Sequence, residues 1–261
     1  MTNTIFVFCG GARTFLKCFD ACFENVISSL CPDLSKVTIL FYMKLTDPGP
    51  KEHAAHNCFL GKYVNQNFFY EEANQSDVLV KIDEYRAKGV EIHETLLFNS
   101  EINDTDLMLS VKYRGLYDGF NTSDVHFIRA LHQAYNFERS GKRILEIEEK
   151  SGRTFDTAVY IRPDIFFTGK SKKLSEYVTD KVILCEGEDS YSNDHFAIIP
   201  RRQFNGFFFN RMEVYRTNVV KHYTTPEEVF WDTIDYRVER IAPYFIKRQY
   251  LVEDDRLKKI E

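Results

Sequence analysis

Apolar residues along this chain fall into two rhythms. Unbroken short runs, Thr4 to Cys9, Val37 to Met43, Ala158 to Ile161 and Val182 to Cys185, have the length and β-branched or aromatic content of buried strands. His195 to Pro200 and the alternating Val90 to Glu94 add two more. Between them the apolar positions recur at helical spacing. Phe15, Phe19, Cys22, Phe23, Val26 and Ile27 predict a helix from Thr14 to about Ser29. A second spans Asp77 to Lys88 and stops at Gly89. A long third one starts at Thr122-Ser123-Asp124 and runs to about Lys150, with Gly141 as a candidate break. Residues 203–220 carry Phe204, Phe207, Phe208, Met212 and Tyr215 on one side, and Pro226 opens a last helix with Val229, Phe230, Ile234 and Val238 inward. Strands alternating with helices predict an α/β domain with a mixed, mainly parallel central sheet flanked by helices.

Two of these strands end in residues suited to chemistry. The first runs straight into Gly10-Gly11-Ala12-Arg13-Thr14, where glycines permit tight backbone and close approach of a ligand. Arg13 beside a helix start suits a phosphate, although a plain strand-to-helix connection uses the same residues. The central strand ends in Arg162-Pro163-Asp164 before Ile165-Phe166-Phe167. Proline cannot donate to a ladder, so pairing stops there. A cation and a carboxylate are thereby delivered to the carboxyl end of a strand, where α/β folds gather ligands. The plain alternative is a surface ion pair. Three loop regions also draw attention: the Pro/Gly-rich stretch from Thr46 to Lys51, a polar insertion from Asn99 to Asn121, and the turn-rich Asp189 to Asp194.

Composition narrows the classes. With 261 residues, 44% hydrophobic and 15% aromatic, the chain can bury a full core and is not a disordered one. A net charge of −5 without a dense basic stripe argues against nucleic acid as a partner. No window is long and apolar enough for a membrane span, and the amino-terminal run reads as a strand rather than a signal peptide, so a cytoplasmic protein is expected. The six cysteines form no CxxC pairs, and reduced, buried thiols are expected. His53, His56 and Cys58 tempt a metal assignment but lack a second ligand pair.

The order of these pieces resembles a family. Strand–Gly10-Gly11-Ala12-Arg13-Thr14–helix, a second strand ending in a Pro/Gly loop, a long helix, Val159-Tyr160-Ile161-Arg162-Pro163-Asp164, then Asn193-Asp194-His195-Phe196 and Pro226-Glu227-Glu228 is similar to the small GT-A-type glycosyltransferases of bacterial capsule clusters and large DNA viruses. The resemblance spans Ile5 to about Ile234. It implies a single GT-A-like, Rossmann-like domain, with a nucleotide-binding half at about 1–165 and an acceptor half at about 166–250. It further implies transfer of a sugar from a nucleotide-sugar donor to a glycan or glycoconjugate acceptor. Gly10, Gly11, Arg13, Arg162 and Asp164 would bind the donor, and Asp164 would hold Mn2+ or Mg2+ or a sugar hydroxyl. Asp194 and Glu227, or its neighbour Glu228, are the candidates for the base that such a transfer needs, and His222 is a candidate late metal ligand, with a structural or solvent-facing histidine as the plainer reading. The chain departs from the family where the Asp-x-Asp metal motif is expected, since the segment here is Arg162-Pro163-Asp164. A sugar-phosphate nucleotidyltransferase and a non-catalytic nucleotide- or sugar-binding module are the alternatives.

Overall fold

The computed structural model describes residues 3–12, 15–45, 75–97, 101–112, 125–177, 180–186, 192–217, 226–239, 241–242 and 244–246. Nine strands are present among them: β1 (Thr4–Gly11), β2 (Val37–Lys44), β3 (Glu91–Leu97), β4 (Thr157–Ile161), β5 (Ile165–Phe167), β6 (Val182–Glu186), β7 (Ser192–Pro200), β8 (Tyr236–Glu239) and β9 (Tyr244–Ile246). Seven form one sheet in the order β3-β2-β1-β4-β7-β6-β8, while β5 and β9 pair separately as an antiparallel ribbon. Neighbours run parallel throughout the sheet except at β7, which is antiparallel to both β4 and β6. The sheet is therefore mixed and mainly parallel, within a single α/β domain.

Helices cover both faces. On one lie α1 (Phe15–Cys22), which continues through a π-helical turn (Phe23–Ile27) into α2 (Ser28–Leu30), and α3 (Gln75–Arg86). Phe6, Phe8, Ile39, Phe41, Val159 and Ile161 point to that side. The opposite face, with Ile5, Val7, Leu40, Tyr42, Ala158 and Tyr160, packs on the 27-residue α5 (Val125–Ser151), a π-helical segment (Asn205–Asn210) and α7 (Pro226–Asp232). The inner parallel strands β1, β2 and β4 are largely apolar because both of their faces are buried, the property that made these runs conspicuous, whereas the edge strands β3 and β8 carry charged residues. A third cluster joins α5, α6 (Arg211–Thr217) and α7 to the short α4 (Asp104–Leu109) through Leu107, Phe127, Leu131, Met212, Tyr215 and Val229.

Several expectations need correction. The insertion from Asn99 to Asn121 is not all irregular: α4 lies within it, its first turn capped by the Asn103 side chain accepting from the Asp106 N–H at 2.8 Å. Gly141 does not break α5. It is where the π-helical segment presses closest, since a Cβ there would lie 2.7 Å from Phe208 Cβ. Val238 is not inward but 42% exposed on the edge strand β8. The strand expected from His195 begins at Ser192, so Asp194 belongs to β7 rather than to a loop. Residues 46–74, with His53, His56 and Cys58, and the tail from Glu253 lie outside the described residues, as do His222, the Thr14 cap and residues 99–100 and 113–121 of the insertion.

One buried carboxylate ties α5 to α6. Glu138 is enclosed, accepts a fork from Arg216 at 2.9 and 2.7 Å, and pairs with Lys142 at 2.9 Å. Burial pushes its pKa up, but the bonds from Arg216 and Lys142 outweigh that and hold it below the usual carboxylate value. The unfolded chain therefore takes up this proton at a higher pH than the folded one. The stabilisation is complete above the unfolded value and is lost as pH falls through the folded value. Urea melts on Glu138→Gln should accordingly show a flatter acid limb than the wild type below about pH 4.3.

Candidate functional site

Parallel pairing places the carboxyl ends of β1, β2, β3 and β4 on one edge of the sheet. Strand order reverses between β1 and β4, because β2 and β3 are added on one side of β1 and β4 on the other. Such a reversal opens a crevice between the connections leaving the two strands, and ligands of open α/β sheets occupy it. The two motifs singled out in the sequence meet at that reversal. Phe8 is in register with Ile161, so Gly10 and Gly11 continue past β4 beside Arg162-Pro163-Asp164.

The contact is close. Gly10 has φ +138°, a conformation side chains rarely adopt, and a Cβ on it would meet Pro163 Cδ at 3.4 Å. On its other side β1 pairs with β2, Gly10 with Met43 and Gly11 with Lys44. The Ala12 N–H then donates to the Lys44 carbonyl at 2.7 Å, and the Leu45 N–H to the Leu97 carbonyl at 2.7 Å. Behind the glycines an aromatic cluster sets the start of α1. Phe15 lies 6.4 Å from Phe8 and 5.4 Å from Phe41, ring centre to ring centre, and Phe19 lies 5.3 Å from Phe8. The strand-to-helix turn is thus anchored from below by about four interlocked rings, each pair adding roughly 0.5–1.5 kcal/mol to its burial.

At the end of β4 the chain makes a tight turn. The Ile165 N–H reaches back to the Arg162 carbonyl at 3.4 Å, with Pro163 in the position its fixed φ favours. The turn folds Asp164 onto Arg162 in a two-point ion pair, Nε to Oδ1 at 3.0 Å and Nη2 to Oδ2 at 2.7 Å. Asp164 was expected at the mouth of a donor pocket, facing a metal or a sugar. Instead it is only 2% exposed, and both its oxygens accept from the guanidinium. A buried carboxylate needs this compensation, which is why the pair is two-pronged. Arg162 retains 17% side-chain exposure at the end of the strand.

β7 brings a third element to the same edge because it runs the other way. Its Phe196 pairs with Ile161, and the His195 carbonyl accepts from the Arg162 N–H at 2.9 Å. The backbone of Asp194 is therefore one residue beyond, at the end of β4. Glu227 stands in the first turn of α7, which ends at Asp232, four residues before β8 begins. β8 runs parallel to β6 and so starts at the opposite edge. The side chains of Asp194 and Glu227, and all of Arg13, lie outside the described residues. Lys44, exposed at the end of β2 and in register with Gly11, is a cation the sequence reading passed over. Its signal was available: a single charge closing an apolar strand that pairs with the Gly-Gly strand.

Among the described residues no three His, Cys, Asp or Glu side chains come together to hold a metal ion, and Asp164 is committed to Arg162. The described residues do not by themselves assemble a site for Mn2+ or Mg2+. No helix among the described residues is long and apolar enough to cross a membrane.

No protein-family model and no curated protein sequence matches the chain. Solved structures similar to it include an active-site mutant of LgtC, 10% identical with a TM-score of 0.42, covering 90% of this chain and 72% of that one. A glycosyltransferase involved in the glycosylation of the major capsid of PBCV-1 is 11% identical with a TM-score of 0.34, over 61% and 73% of the two chains. A nucleoside-diphosphate-sugar pyrophosphorylase from Vibrio cholerae RC9 is 10% identical with a TM-score of 0.41, over 98% and 99%. Likenesses this remote carry no argument about activity. The α/β architecture stands on strand order and register, and its reversal point is where the two sequence motifs converge.

Proposed function

We propose that the crevice between β1 and β4 binds a nucleotide-sugar donor and that the chain is a glycosyltransferase acting on a glycan or glycoconjugate. The observation that carries this reading is the meeting of Gly10 with Pro163 at the reversal of strand order. It leaves a side-chain-free backbone edge beside the Arg162–Asp164 pair. Sugar transfer expels a nucleoside diphosphate, so developing charge on phosphate oxygens must be met by N–H groups and cations that are already in place. Gly10 and Gly11 offer the backbone, and Arg162, Arg13 and Lys44 the charge. Asp164 acts by holding Arg162 rather than by touching the donor. The acceptor hydroxyl must also lose a proton, and Asp194, on the strand whose start lies at this edge, and Glu227 are the proposed bases.

A panel of nucleotide sugars, each with and without Mn2+, tests the reading. Release of nucleoside diphosphate on adding the protein, in step with transfer or hydrolysis of the sugar, is the expected result. Pyrophosphate release from a nucleoside triphosphate and a sugar phosphate would instead make the chain a nucleotidyltransferase. Binding without turnover across the panel would make it a binding module. A requirement for Mn2+ would show that residues outside the described set complete a metal site.

A further inference from the structure

On the α5 side of the same sheet edge stands a second polar group of residues. β1 and β2 are in register at Cys9 and Tyr42, and β2 and β3 at Tyr42 and Thr95. Phe8 pairs with Ile161, so Arg162 follows at the level of Cys9. Cys9 and Tyr42 both face α5. There Arg139 of α5 donates from Nε to Glu101 Oε2 at 2.5 Å. Glu101 lies in the insertion, just ahead of α4. Both side chains of this pair reach solvent, Arg139 at 34% exposure and Glu101 at 23%. Tyr42 lies beneath them and is only 2% exposed.

Two features set this pair apart from an ordinary surface ion pair. The Tyr42 hydroxyl is buried and makes no hydrogen bond among the described residues. Burial, and then the Glu101 carboxylate close by, push its pKa well up, so the phenol keeps its proton. It is a buried donor held near a carboxylate without a bond to it, an arrangement that is destabilising unless something else completes it. The pair is also half used. Glu101 Oε1 and the terminal nitrogens of Arg139 make no hydrogen bond among the described residues. A carboxylate oxygen beside guanidinium N–H groups sets an acceptor next to donors. Vicinal hydroxyls answer both, one donating to the carboxylate while the other accepts from the guanidinium. Neighbouring strands lie about 4.8 Å apart, so two spacings, about 10 Å, separate the Arg162 end of β4 from Tyr42 on β2. A nucleoside diphosphate with its phosphates at the strand reversal reaches that far with its ribose. Acidic side chains take ribose hydroxyls in nucleotide sites of this kind.

We propose that Glu101 and Arg139 bind the 2′- and 3′-hydroxyls of the donor's ribose, with Tyr42 as a positioning residue beneath the carboxylate. The assignment rests on the donor reading and adds a specificity to it, ribonucleotide over deoxyribonucleotide. The test is calorimetric titration of UDP, GDP, ADP and CDP, each beside its 2′-deoxy counterpart. The wild type should bind its preferred diphosphate about tenfold or more tighter than the deoxy form, the worth of one hydrogen bond to a charged group. In Glu101→Ala that ratio should fall to about one, with affinity for the deoxy form little changed. Tyr42→Phe removes a hydroxyl that has no internal bond, so it should melt no lower than the wild type and still show a reduced ratio. Equal binding of the two forms by the wild type, or an unchanged ratio in Glu101→Ala, would overturn the assignment and leave the donor reading standing. Binding of no diphosphate by the wild type would overturn both. A Tyr42→Phe protein that melts lower with its ratio intact would remove Tyr42 from the site.

Discussion

Asp164→Ala should lower the free energy of unfolding by about 3–5 kcal/mol, because it strands the Arg162 guanidinium at a largely buried strand end. The carboxylate is nearly fully enclosed and its two oxygens take both prongs of the fork, so water cannot replace what is lost. Asp164→Asn keeps one acceptor and should cost less. A second variant separates stability from function. Replacing both partners, Arg162→Met with Asp164→Leu, removes the orphaned charge and should recover much of the stability, as apolar replacements of buried ion pairs commonly do. It should not recover activity if Arg162 meets the donor phosphates. Turnover should stay reduced by about a hundredfold, the size of effect seen when one fixed electrostatic group is lost. A double variant that regains both would make the pair a structural device alone.

Gly10→Ala is the second change with a large expected effect. The backbone at this position lies where L side chains rarely go, and the new methyl would lie in contact with Pro163. The strain should cost about 1–3 kcal/mol of stability. The methyl also stands between the two motifs, so nucleoside diphosphate affinity should fall by about tenfold or more. Gly152→Ala is the control: its φ is +66°, but nothing lies within 4 Å of the added carbon. That variant should destabilise through backbone strain while binding nucleotide as the wild type does. Equal binding by the two variants would remove Gly10 from the site.

Much of the architecture was legible because burial on both faces of a parallel sheet writes unbroken apolar runs. Ile5 to Cys9, Val37 to Met43 and Ala158 to Ile161 are three such runs, and they became three adjacent strands. The break at Pro163 was legible for a chemical reason, a missing N–H. What a period cannot show is how elements end up facing one another. Asp164 looked like a cleft residue because carboxylates are usually wet, yet a tight turn returned it onto Arg162 and buried it. Gly141 looked like a helix break because glycine is a poor helix former, and its reason is the packing of Phe208 and Phe209, more than sixty positions away. Val238 followed an inward pattern that an edge strand does not honour. The α4 helix could have been found from Asn103-Asp104-Thr105-Asp106, a helix-start signature hidden in a polar stretch.

Calorimetric titration of nucleoside diphosphates into the wild-type protein, Gly10→Ala and the double variant Arg162→Met with Asp164→Leu bears most directly on the claim that the β1–β4 reversal is a donor site. Saturable binding of at least one nucleoside diphosphate to the wild type is expected, weakened about tenfold or more in either variant. Binding of the same diphosphate to all three proteins with equal affinity would place the nucleotide elsewhere and contradict the account.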